Sequence, residues 1–134
     1  MSRPNKAGLD FYTRAVGFRG SDSVRRLKSE FGIKGVYIYE EVLDAIYRGN
    51  GYYIDWDEDA CSSMSEGVGG GCSVNLIGEV IQGCLKWSLF DQRLFNVFNI
   101  LTSSDIQSHY FEAVKHRTGV DVNDSYLLVN VDAD

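Results

Sequence analysis

The stretch SVNLIGEVIQGCLKWSLFDQRLF, Ser73 to Phe95, decides how the chain is read. Leu76, Ile77, Val80, Ile81, Cys84 and Leu85 recur at the spacing of one helix face. Ser73 is suited to cap that helix, because its hydroxyl can accept from an otherwise unpaired amide of the first turn. Past Trp87 the pattern changes. Leu89-Phe90 and Leu94-Phe95 flank Asp91-Gln92-Arg93, which predicts a small hairpin. Helix, glycine-rich turn, helix, then hairpin is the order of a winged helix-turn-helix. The expected fold class is mainly α with a small β wing (α+β).

The rest of the chain is placed around that element. Residues 1–20 carry Pro4, Gly8, Gly17 and Gly20 and read as an arm, tied down by Leu9, Phe11, Tyr12 and Phe18. Residues 21–117 form the winged-helix domain. A first helix runs from Ser21 or Asp22 to about Phe31, with Gly32 as its stop, and a second from about Gly35 to Arg48. Glu40, Glu41 and Asp44 form an acidic, solvated face on the second, with Asp44 set to pair with Arg48. Tyr52 to Trp56 reads as a short strand. Asp57 caps a third helix to about Glu66, and Glu58 and Asp59 favour its positive end, which explains these acids better than a metal cluster. The Gly67–Gly71 run joins this helix to the next, with no Walker signature around it. Val97–Thr102 fits a returning strand, and Ser104-x-x-Gln107 a capping box opening a last helix. Residues 118–134 are an extension with a short apolar strand at Tyr126–Val129.

Composition narrows the function. With 134 residues and 44% hydrophobic side chains, one domain with its own core is expected. No run is long enough to span a membrane and the N-terminus lacks an apolar signal region, so the expected location is cytoplasmic. Cys61, Cys72 and Cys84 are odd in number, without a C-x-x-C pair, and read as small buried hydrophobes. Residues 1–34 hold eight basic and three acidic side chains, a balance of +5, whereas the remaining hundred hold five and sixteen, a balance of −11. That division suits a nucleic-acid-facing end on an acidic body, and equally head-to-tail association.

Two interaction readings stand side by side. For DNA, the helix opened by Ser73 would present Asn75, Gln82 and Lys86, with Arg93 at the wing tip. This helix offers one lysine against Glu79, so further phosphate contacts would come from Arg3, Lys6 and the cluster Lys115, His116 and Arg117. For protein contact or self-association, Tyr52, Tyr53, Trp56 and Phe98 are candidate interface aromatics, joined by Trp87 and Phe95. No enzyme is expected. His109 and His116 are the two imidazoles, seven positions apart, and no nucleophile or metal motif accompanies them. Neither a cofactor nor a small-molecule substrate is implied.

Five collinear motifs carry a resemblance. GLDFY (Gly8–Tyr12), LKSEFGIKG (Leu27–Gly35), YRGNGYYIDWDEDAC (Tyr47–Cys61), SLFDQRLF (Ser88–Phe95) and NILTSSDIQSHYFEA (Asn99–Ala113) cover most of the chain. In these the chain resembles an N-terminal domain of phage and prophage replication-type proteins, related to the DnaD-like primosome proteins. The resemblance implies a winged helix like the DnaD N-terminal domain, a part in replication initiation with replication proteins or further copies as partners, and no catalytic residues. Asn99 departs from it, since glycine is expected before the Ile-Leu-Thr-Ser run.

Overall fold

Short polar side chains set the start of every α-helix. The computed structural model describes residues 7–130. α1 (Asp22–Arg48) begins where the Ser21 hydroxyl accepts from Val24 N, α2 (Glu58–Val68) where Asp57 accepts from Ala60 N, and α3 (Val74–Lys86) where Ser73 accepts from Leu76 N. α4 (Gln92–Phe98) and α5 (Ser104–Ala113) are capped in the same way by Asp91 and Ser103. Each cap satisfies one amide that the helix cannot pair itself. α1 comprises the two expected N-terminal helices, which break at the expected stop, Gly32, whose φ of 73° and ψ of −165° lie outside the helical region. Glycine tolerates that conformation without steric cost, so the chain kinks there and resumes its helix.

The core lies where α3 packs on α1 and α2. Ile77, Val80, Ile81, Cys84 and Leu85 are buried on α3, and Leu27, Ile38, Val42 and Ile46 face them from α1. Each large apolar side chain removed from water contributes roughly 1.5–3 kcal/mol, so the α3 stripe anchors the fold. Beside it, β1 (Ile54–Asp55) pairs antiparallel with β2 (Ile100–Leu101), Ile54 opposite Leu101 and Asp55 opposite Ile100. The architecture is mainly helical with this two-stranded sheet, as the α+β expectation has it. No helix among the described residues is long and apolar enough to cross a membrane.

Several local expectations need correction. The hairpin over Leu89–Phe95 is absent. The Asp91 carboxylate accepts from Leu94 N and starts α4, which turns Leu94 wholly into the core. The strand over Val97–Thr102 shrinks to Ile100–Leu101, because Val97 and Phe98 finish α4 and Asn99, at φ 55° and ψ 45°, ends it in the left-handed region. The cap of α5 is Ser103, one residue before the expected Ser104. No strand forms at Tyr126–Val129; a 3-10 turn at Asp124–Tyr126 takes in its first residue, and the segment is held by side chains. Buried Gln107 donates to the Tyr126 carbonyl (2.8 Å) and to Thr102 Oγ1 (3.1 Å), and accepts from Leu128 N (2.7 Å).

The acidic face of α1 is also more than solvated surface. Leu9 N donates to the Tyr47 carbonyl at 2.7 Å, and Tyr12 donates to Asp44 at 2.5 Å. Arg14 and Arg19 converge on Glu40 at 3.2 and 3.0 Å. Asp44 therefore serves Tyr12 and Arg14 rather than Arg48, and the arm is fastened along α1.

Candidate interaction surfaces

The outward face of α3 forms the floor of a groove of about 810 Å³, walled by α1 at Glu30 and Phe31 and by α2 at Glu58, Cys61 and Ser62. Asn75 and Gln82 line it, both exposed. Its rim carries Glu30, Glu58 and Glu79 against the single cation Lys86. Lys86 is already engaged: its ammonium lies 3.6 Å from Glu30 and 4.7 Å from the centre of the Trp87 ring. A phosphate seated here would meet three carboxylates, which repel it at short range. The face expected to read DNA is electronegative.

The other expected DNA contacts lie on separate elements. Ser73 spends its hydroxyl on the α3 cap. Arg93, in the first turn of α4, lines a second cavity of about 730 Å³ that shares no residue with the groove. Lys115, His116 and Arg117 follow α5. Lys115 pairs with Glu112 at 2.5 Å, holding that exposed carboxyl below its usual range, and Arg117 donates to the Gly8 carbonyl at 3.1 Å. Arg3 and Lys6 lie outside the described residues.

The expected interface aromatics divide by burial. Tyr52 and Trp56 are core residues, at 4% and 8% exposure. Tyr52 packs within 4.9–5.8 Å of Tyr53, Tyr110 and Phe111, and its hydroxyl accepts from Asn123 N. Tyr53 is half-buried with its ring 4.8 Å from that of Tyr126, and Phe95 is half-buried too. Phe98 stays at the surface beside exposed Val97. The thiols of Cys61, Cys72 and Cys84 are free and buried, and burial pushes the pKa of Cys61 and Cys84 upward. His109 Nδ1 lies 3.4 Å from the Tyr47 hydroxyl, whose own pKa burial pushes up.

A different basic surface emerges on the first half of α1. Arg25 and Arg26 are exposed there, opposite the buried face of Val24 and Leu27, and Lys28 is exposed at the flank of that face, one turn on from Val24. Arg26 stacks over the Trp87 ring at 5.1 Å, and Trp87 Nε1 donates to Glu30 at 3.0 Å, which ties α1 to the end of α3. Arg25 lies 3.9 Å from Asp22, a loose surface pair of little energetic weight. The charge excess of residues 1–34 is the sequence signal for this strip; the docking of Trp87 onto it needs the fold.

The family model described as "Lin1244/Lin1753-like, N-terminal" matches residues 11–106. The chain belongs to this family. A relative from Listeria innocua serovar 6a, described as "Uncharacterized phage-related protein Lin1244/Lin1753", is 33% identical over 130 residues. The alignment covers 97% of this chain and 42% of the relative, so the chain spans less than half of that protein's length. No solved structure matches. The Lin1244/Lin1753-like match runs from the arm at Phe11 to the first turn of α5, and so takes in both the α3 groove and the α1 strip.

Proposed function

We propose that this Lin1244/Lin1753-like domain is a non-enzymatic module of a phage replication-initiation-type protein, one that contacts DNA within a primosome-like assembly. The observation that carries the reading is the group of exposed cations Arg25, Arg26 and Lys28 on the first half of α1, with Lys34 also exposed beyond the kink. Phosphate contacts supply most of the affinity of such surfaces, and several exposed cations on one helix suit them. The phage-related description of the relative and the DnaD-like resemblance favour a replication setting.

The strand order supports a winged-helix ancestry. β1 precedes the α2–α3 pair and bonds to β2, the strand that follows it. A sheet so placed suits a winged-helix reading, in which α4 would stand where the wing hairpin is expected. In this reading DNA meets α1, and α3 is turned to another task. Backbone amide chemical shifts recorded during a DNA titration test it. Shifts concentrated over residues 22–34 and around Trp87 are expected; shifts confined to the outward positions of α3 would refute it.

A further inference from the structure

We propose that the α3 groove docks a helical segment of another protein, one whose apolar stripe is flanked by lysine or arginine. Shape, floor and charge each bear on it. α3 runs 13 residues, Val74 to Lys86, which at 1.5 Å per residue gives a floor about 20 Å long, the span of a three- to four-turn helix. Phe31 of α1 and Cys61 of α2 line its two walls, and Val74, 45% exposed, adds apolar surface at its start. At Gly78 the floor is bare. A Cβ built there meets nothing within 4 Å, so an incoming side chain can approach the α3 backbone.

Charge selects the occupant. Glu30, Glu58 and Glu79 stand on the rim with Lys86 as their one counter-charge, a balance of −2. A groove apolar at Phe31, Cys61 and Val74, with Asn75 and Gln82 on its floor and carboxylates at its rim, is complementary to an amphipathic helix with cationic flanks, whose basic residues reach the rim while its stripe packs on the apolar lining. Like charge disfavours an acidic helix and a nucleic-acid backbone at the same place. A metal ion is a poor alternative, since among the described residues no group of three carboxylates, histidines or cysteines could hold one. The groove meets the basic strip at the Glu30–Lys86 pair, so one domain would hold DNA on α1 and a protein on α3.

The test uses the whole chain and two fluorescent helical peptides with the same leucine stripe, one flanked by lysine and the other by glutamate. The lysine peptide is expected to bind about tenfold or more tightly than its glutamate counterpart. Glu58→Lys with Glu79→Lys should reverse that preference, and Gly78→Leu should block both peptides, with circular dichroism confirming the fold of each variant. Failure of the lysine peptide to bind, equal binding of both peptides, or binding indifferent to Gly78→Leu would overturn the proposal. So would light scattering that finds a dimer dissolved by Glu79→Lys, because the occupant would then be a second copy. Duplex DNA that shifts the backbone amide resonances of Asn75, Gly78 and Gln82 would also overturn it.

Discussion

The Phe31 ring lies directly over Gly83, leaving no room between α1 and α3 for a methyl group. A Cβ built at Gly83 would stand 2.5 Å from Phe31 Cε2 and 3.2 Å from Leu27 Cδ1. This close approach sets one wall of the α3 groove and brings Trp87 within reach of Arg26 and Glu30. Gly83→Ala should therefore destabilise the domain by about 1–3 kcal/mol through overpacking. Gly78→Ala, on the same helix but facing open space, should stabilise it by roughly 0.5–1 kcal/mol from helix propensity alone. Urea denaturation of the two variants measures both. Equal effects would mean that Phe31 does not press on Gly83.

Asn99 explains its own departure from the expected glycine. It sits in the left-handed region, where asparagine is the best tolerated residue after glycine. Asn99→Gly should leave stability within about 0.5 kcal/mol, and Asn99→Val should cost about 1–2 kcal/mol. A thermal melt showing no loss for the valine variant would place the α4 terminus in another conformation.

Gln107 holds the C-terminal segment through two hydrogen bonds, to Tyr126 and Leu128, and donates a third to Thr102. Gln107→Leu preserves bulk but strands the Leu128 amide and the Tyr126 carbonyl, at a cost of about 2–3 kcal/mol. Limited proteolysis should then cut first within residues 118–130. Unchanged resistance there would show that the tyrosine packing alone secures the segment.

Alkaline pH should loosen the arm. Burial, and then the hydrogen bond to Asp44, raise the Tyr12 hydroxyl from 10.0 to about 12, and burial raises Tyr39 and Tyr47 as well. The folded state thus binds these protons more tightly than the unfolded chain. Their contribution is complete below pH 10, the unfolded value, and is lost as pH rises toward 12 through the folded value of Tyr12. Stability followed against pH should be level on the near side of that window and fall within it, less steeply in Tyr12→Phe. A Tyr12→Phe profile identical to that of the parent would show that the Tyr12–Asp44 bond does not hold the arm.

Much of the framework was legible in the sequence because it rests on local chemistry. The α3 stripe, the Ser73 and Asp57 caps and the end of α1 at Arg48 are all set within a few residues of themselves. The misread elements are those settled by distant partners. Asp91 suits a turn or a cap equally, and its backbone bond to the Thr102 carbonyl accompanies the helical outcome. Tyr126–Val129 has strand-like residues but bonds to Gln107 rather than to a strand. The site follows the same division. Exposed arginines on α1 are visible in the helical pattern, whereas the acidic rim needs Glu30, Glu58 and Glu79 brought together from three helices.

Fluorescence anisotropy of labelled single- and double-stranded DNA, repeated over a salt series, measures whether α1 contacts DNA. Affinity should fall linearly on a log–log salt plot with a slope of about −3, the release expected for three or so neutralised phosphates. Arg25→Glu with Lys28→Glu should abolish binding, while charge reversal at Lys86, Arg93 or Lys115 should change it little. Absence of binding at low salt, or binding that survives reversal on α1, would contradict a DNA-contacting role for this strip.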